Sequence, residues 1–116
     1  MTFKENKPIY LQIADRISDD ILSGAYAEEE RIPSVREYAA QVEVNANTVV
    51  RSFDFLQQHE VIYNKRGIGY FVSAGARQQI KDFRRETFLK EELPEVFQKM
   101  NSLDISMEEI IKLYEK

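Results

Sequence analysis

Four isoleucines recur every four residues near the start of the chain: Ile9, Ile13, Ile17 and Ile21. This spacing places apolar side chains on one face of a helix, which is typical of a helix packed on a core. Pro8 suits the first helical position, where a missing amide costs nothing, and Gly24 suits the left-handed residue that ends a helix. The pattern predicts a first helix from about Pro8 to Ser23, followed by a solvated acidic loop up to Glu30.

Two shorter helices are predicted after this loop. Ser34 and Glu37 form a Ser-x-x-Glu capping box, so the second helix begins at Val35 and ends near Glu43. Asn45 is a good cap for a third helix. Apolar side chains at helical spacing form the inner faces of these two helices: Val35, Tyr38, Ala39 and Val42 in the second, and Val49, Phe53 and Leu56 in the third.

A small β-hairpin is predicted beyond the third helix. Residues 61–64 are rich in β-forming side chains, and residues 70–72 resume the same pattern. Gly67 and Gly69 lie between them and can adopt positive φ. The hairpin therefore carries a Lys-Arg pair, residues 65–66, at its tip.

The rest of the chain, from Gly75 onward, is helical in pattern. Pro94 is expected to break or kink the helix, and Ser106 with Glu109 forms a second capping box. Seven large apolar side chains offer more surface than a small helix pair can hide: Phe83, Phe88, Phe97, Met100, Leu103, Ile110 and Tyr114. This excess predicts a homodimer formed through the tail. The alternative is a tail that packs only on its own domain.

Composition excludes several classes of protein. A chain of 116 residues supports one compact domain plus an appendage. It has no cysteine and a single histidine, His59, so we expect no disulfide, no metal site and no cofactor. Ser34 has no histidine near it in sequence, and Gly67 and Gly69 lack the context of a phosphate-binding loop, so nothing indicates an enzyme.

No apolar run approaches the roughly 20 residues that cross a bilayer, and residues 1–5 lack the apolar core of a signal peptide. We therefore expect a cytoplasmic protein that does not bind membranes.

The net charge of -4 argues against bulk attraction to nucleic acid. Five basic residues nevertheless lie in the segments expected to face DNA, and phosphates sense the local field within roughly 8 Å. These residues are Arg31, Arg36, Arg51, Lys65 and Arg66.

Two helices joined by a three-residue turn and followed by a basic hairpin are typical of a winged helix-turn-helix, which places its second helix in the major groove of DNA. The candidate base-reading residues are Asn45, Ala46, Asn47, Thr48, Val50 and Arg51. An asparagine can form two hydrogen bonds with adenine, and each such contact discriminates by roughly 1–3 kcal/mol. The alternative is that Asn45 only caps the helix and Asn47 only faces water.

Arg36 and the hairpin tip are the candidate backbone contacts. The fork of Arg36 suits a phosphate or a guanine edge, and a surface ion pair is its alternative. Lys65, Arg66 and Gly67 can enter a minor groove or contact a phosphate, and an ordinary solvated turn is the alternative for them.

Three separated blocks, residues 32–37, 47–49 and 66–72, closely resemble the DNA-binding domain of GntR-family bacterial repressors. The resemblance covers residues 8–72, and the short helical tail is similar to that of the YtrA subfamily. It implies a homodimer on a pseudopalindromic operator. It also implies DNA contacts by Arg36, Asn45, Asn47, Thr48, Arg51, Arg66, Gly67 and Gly69.

Several positions depart from the family pattern. Ala46 and Val50 replace frequent arginines, so the operator should differ from those of relatives that have them. Glu43 stands where a turn glycine is usual, which costs roughly 1 kcal/mol if φ is positive there. Residues 28–29 replace a common Pro-Gly, and Tyr70 replaces a frequent threonine in the wing.

The sequence thus predicts a mainly α protein with a small β-hairpin. A winged helix-turn-helix DNA-binding domain over 1–74 precedes a helical dimerisation region over 75–116. We expect a transcription regulator, most simply a repressor, that binds double-stranded DNA. The sequence does not identify a small-molecule effector. The alternative function is a winged helix used for protein-protein assembly without specific DNA binding.

Overall fold

The computed structural model describes residues 7–116. The N-terminal segment in which no signal peptide was expected lies outside the described residues. The elements in chain order are α1 Ile9–Ser23, α2 Val35–Val42, α3 Ala46–Gln58, β1 Ile62–Lys65, β2 Gly69–Val72, α4 Ala76–Thr87, a π-helical turn Phe88–Glu92, α5 Leu93–Ser102 and α6 Met107–Tyr114.

The core of the first unit is built on α3, against which both α1 and α2 pack. Ile13, Ile17 and Ile21 of the α1 stripe and the inner face of α3 are fully buried, as the sequence predicted, whereas Ile9 at the start of the stripe is 45% exposed. Phe53 is at the centre of this core. Its ring meets the edge of Tyr70 at a centroid distance of 4.8 Å and lies 6.4 Å from the ring of Tyr38. The hairpin is therefore attached to the three-helix core by aromatic packing.

The helix ends follow local sequence signals. The capping box of α2 is complete, because the Ser34 hydroxyl accepts from the Glu37 amide and the Glu37 carboxylate accepts from the Ser34 amide, both at 3.1 Å. Glu43 ends α2 in the left-handed conformation, with φ 56° and ψ 49°. Pro8 differs slightly from expectation: with ψ 143° it is the N-cap of α1, and the helix begins at Ile9.

β1 and β2 pair antiparallel, with Ile62 opposite Val72 and Lys65 opposite Gly69. The predicted hairpin is confirmed. The prediction of a loop up to Glu30 is incomplete, because the end of that segment pairs with β2 as a short third strand-like segment. The Val72 amide donates to the Glu30 carbonyl and the Ile32 amide donates to the Tyr70 carbonyl, both at 2.9 Å. This pairing covers backbone groups of β2 that an edge strand would leave open.

The chain forms two compact units, Met1–Lys81 and Asp82–Lys116. The predicted domain division at residue 75 lies earlier than this boundary, which falls inside α4. The start of α4 belongs to the first unit because Ala76 and Ile80 are fully buried.

The second unit contains the end of α4, the π-helical turn, α5 and α6. Pro94 was expected to break or kink the helix, but it is the second residue of α5, and the irregularity precedes it as the π-helical turn. Proline lacks an amide and clashes with the carbonyl four residues earlier, so a wider turn before it relieves the clash. The capping box of Ser106 and Glu109 is complete at the start of α6.

Candidate nucleic-acid interface

The first turn of α3 is exposed on one side. Asn45 is its N-cap, and the Asn45 side-chain oxygen accepts from the Asn47 amide at 2.8 Å. Asn45 therefore caps α3 through its side-chain oxygen, and the side-chain NH₂ group of Asn45 is available for other contacts. Ala46 and Asn47 are exposed and Thr48 is half-buried, whereas Val49 points into the core.

One turn further along α3, Val50 and Arg51 continue the exposed surface. The guanidinium of Arg51 lies over the ring of Tyr10, 4.2 Å from its centroid. The next residue, Ser52, is fully buried and donates to the Tyr10 carbonyl at 2.7 Å. Tyr10 is thus fixed to α3 and supports a predicted contact residue. This contact between two helices has no signal in the local sequence.

Arg36 is the second residue of α2 and is exposed. Its predicted alternative was a surface ion pair, but within residues 7–116 its guanidinium forms none. A cation at this end of α2 is not stabilised by the helix dipole, which favours negative charge there. The position of Arg36 is therefore suited to an external anion.

The hairpin tip carries the second basic surface. Lys65 and Arg66 are both exposed. The Lys65 ammonium lies 4.5 Å from the ring centroid of Phe71, whose ring stacks on that of Tyr63 at 5.9 Å. The lysine is therefore supported by aromatic faces. Gly67, with φ 80°, has open space where a Cβ would lie, so the turn requires glycine for its backbone conformation alone.

Gly69, with φ 139°, also has a backbone conformation that favours glycine, and unlike Gly67 it has a side chain next to it. A Cβ at this position would lie 2.8 Å from Nε of Arg31, a distance that real Cβ atoms do not tolerate. The absence of a side chain at Gly69 leaves room for the Arg31 guanidinium against the hairpin. The sequence analysis placed Arg31 among the basic residues facing DNA but did not choose it as a site residue.

Acidic side chains near the interface are engaged in local structure. Hydrogen bonding to Ser34 lowers the pKa of the Glu37 carboxyl, which keeps it charged at the start of α2. Glu29 accepts from the Tyr63 hydroxyl at 2.8 Å, and this bond raises the pKa of Tyr63.

Within residues 7–116 no group of acidic or histidine side chains is arranged to hold a metal ion. Across the same residues, no helix is long and apolar enough to cross a membrane.

The fold and the exposed basic surface define a winged helix-turn-helix of the DNA-binding class. Residues 9–72 match the family model described as bacterial regulatory proteins, gntR family. The match covers more than half of the chain, so the protein belongs to the GntR family of transcription regulators. The family and the fold that the sequence predicted are both confirmed.

Two curated relatives from Bacillus subtilis match nearly the whole chain. The uncharacterized HTH-type transcriptional regulator YhcF is 33% identical over 95% of this chain and 89% of its own length. The HTH-type transcriptional repressor YtrA is 27% identical over 92% of this chain and 82% of its own length.

Among solved structures, a GntR-family transcriptional regulator from Bacteroides thetaiotaomicron is 61% identical, with a TM-score of 0.78 over 92% of this chain and 93% of that one. The DNA-binding domain of AraR, solved in complex with operator ORR3, is 26% identical, with a TM-score of 0.57 over 63% of this chain and 88% of that one. These findings agree with a sequence-specific DNA-binding transcription regulator.

Proposed function

We propose that this regulator is a homodimeric repressor that binds a pseudopalindromic operator. The observation that carries the proposal is the uncovered first turn of α3 beside the basic hairpin. A helix-turn-helix dimer reads two half-sites about one helical turn apart, one with each copy of its second helix. YtrA and AraR, a named repressor and a protein solved on its operator, support a role in repression. We place its action in the cytoplasm, with DNA rather than a substrate as its partner.

In the proposed complex the exposed end of α3 enters the major groove. Asn47 contacts an adenine edge through its free amide, while Asn45 contributes its NH₂ group and Arg51 its guanidinium. Thr48 and Arg36 contact phosphates beside the groove. The hairpin acts as the wing and uses Lys65, Arg66, Gly67 and Gly69.

The second unit supports dimerisation, the role that we propose for the region from residue 75 onward. Met100 is the one buried apolar side chain between residues 82 and 116. Other large apolar residues there are exposed, among them Leu103 at 65%, Leu113 at 64% and Tyr114 at 90%. Apolar surface of this extent marks an interaction site in a protein that is otherwise charged. A second copy supplies the same surface in a two-fold arrangement.

Binding to duplexes selected from a random pool tests the proposal, with affinity measured against salt. Asn47→Ala should reduce the preference for the selected sequence over random DNA by about 5- to 150-fold, since one bidentate contact is worth about 1–3 kcal/mol. Arg66→Gln should weaken binding to all sequences and reduce the slope of log K against log salt by about 0.9.

An equal loss on all sequences for Asn47→Ala would contradict its base-reading role. A protein that binds no selected duplex at physiological salt would instead favour the alternative of a winged helix for protein assembly. Sedimentation at micromolar concentration tests the dimer separately, and a monomer there would refute the proposed assembly. Neither measurement depends on the outcome of the other.

A further inference from the structure

We propose that Arg31 is an additional DNA-contacting residue, which binds a backbone phosphate between the wing and the start of α2. The proposal rests on the DNA-binding mode given above and adds to it a residue outside the expected contact set. It is carried by the fixed backbone of Arg31, by the seat of its guanidinium on Gly69 and by its charge environment.

The backbone of Arg31 is held by the sheet. Arg31 forms a bridge with Phe71 of β2, and hydrogen bonds at Glu30 and Ile32 hold the residues on either side. The Ile32 side chain is buried, whereas that of Arg31 is exposed. Since successive side chains of an extended segment point to opposite faces, the buried Ile32 fixes Arg31 on the outer face.

The guanidinium of Arg31 is seated on the hairpin. Its Nε, Nη2 and Cζ atoms lie 2.8, 3.4 and 3.5 Å from the point that a Cβ of Gly69 would occupy. The guanidinium therefore lies next to the backbone of Gly69, at the base of the wing. This position places the charge of Arg31 beside the wing, which is proposed to contact DNA.

The charge of Arg31 is not neutralised by an ion pair within residues 7–116. The charge of Arg31 acts on Glu37, whose pKa is lowered chiefly by hydrogen bonds from Ser34 and to a smaller extent by Arg31. The Glu37 carboxylate is already occupied by the Ser34 amide at 3.1 Å. Arg31 thus lies between the wing and the start of α2 with its donors available, and a phosphate accepts two of them in parallel.

The test compares Arg31→Gln with the charge-matched control Arg16→Gln, which removes an exposed arginine of α1 that lies outside the hairpin, the helix-turn-helix and the proposed dimerisation region. For Arg31→Gln we expect the slope of log K against log salt to fall by about 0.9, the value for one phosphate contact, with affinity lost on all sequences. The Arg16→Gln variant should match the wild type in affinity and slope. If the wild type binds its selected duplex and Arg31→Gln binds with the same affinity and slope, the inference is wrong while the proposed function stands.

A second measurement uses the unmodified protein and does not depend on the folding of a variant. Phenylglyoxal modifies accessible arginines, and peptide mass spectrometry locates them. With a saturating selected duplex, Arg31 should be protected and Arg16 should react as in free protein. An Arg31 that reacts equally with and without DNA would overturn the proposal. If the wild type fails to bind any selected duplex, the proposed function fails instead.

Discussion

Replacing Glu43 with glycine should stabilise the protein, because Glu43 occupies the turn between α2 and α3 with φ 56° and ψ 49°. A residue with a Cβ in this conformation is strained by contact between Cβ and its own backbone, at a cost on the order of 1–2 kcal/mol. Glycine removes the strain and retains the amide that donates to the Ala39 carbonyl. The Glu43 side chain is exposed and makes no hydrogen bond within residues 7–116, so no contact is lost.

The gain is smaller than the strain, because glycine also gives the unfolded chain about 0.4–1 kcal/mol of additional conformational entropy. The net stabilisation for Glu43→Gly is therefore roughly 0.5–1 kcal/mol. For a chain of this length such a change raises the thermal midpoint by about 2–5 °C. Thermal unfolding followed by circular dichroism, at fixed protein concentration, measures the shift.

Two control variants separate backbone strain from other effects. Glu43→Ala removes the carboxylate but retains Cβ, so its midpoint should stay close to that of the wild type. Gln41→Gly places glycine inside α2, where it should cost about 1 kcal/mol. If Glu43→Ala is as stable as Glu43→Gly, the stabilisation comes from the lost charge and the argument from strain is refuted.

Two further predictions concern the aromatic residues of the core and the interface. Within residues 7–116 the buried Tyr38 hydroxyl has no hydrogen-bond partner, so Tyr38→Phe should unfold at the same temperature or higher at pH 7. Burial raises the pKa of Tyr38 to about 12, whereas the same hydroxyl ionises near 10 in the unfolded chain. The stability of the wild type should therefore fall as the pH rises above 10, and that of Tyr38→Phe should fall less. Equal pH profiles of the two proteins would contradict this. Tyr10→Leu should weaken DNA binding about 2- to 5-fold by removing the cation-π contact with Arg51, whereas Tyr10→Phe should not. In an Arg51→Gln background Tyr10→Leu should have no further effect, and an unchanged loss there would show that Tyr10 does not act through Arg51.

The features that the sequence predicted correctly depend on local chemistry. The capping box of Ser34 and Glu37 requires only residues of one helical turn. The apolar spacing of α3 fixes its buried face whatever packs against it. The hairpin was predictable for the same reason, since its turn needs glycine at 67 and its strands are a few residues apart.

The features that were missed depend on contacts between distant residues. The residues near Glu30 pair with β2, which lies about 40 residues further along the chain. An acidic stretch gives no sign of this pairing. Likewise, Arg31 contacts Gly69 and Arg51 contacts the Tyr10 ring only once the helices and the hairpin are packed together. A lone arginine in a sequence is ambiguous, because its partner is chosen by the tertiary structure.

The net charge of -4 is compatible with specific DNA binding because the charges of the protein are unevenly distributed. Three acidic side chains form internal hydrogen bonds: Glu37 caps α2, Glu29 binds Tyr63 and Glu30 accepts from the Ala27 amide. The arginines Arg31, Arg36 and Arg66 form no ion pair within residues 7–116. At physiological salt a phosphate responds to charges within roughly 8 Å, so a duplex docked on α3 and the wing meets mainly cations. A duplex at any other surface meets a net acidic protein, which weakens non-specific binding. The acidic composition therefore raises the ratio of specific to non-specific affinity, which is the quantity that a regulator needs among many competing sites.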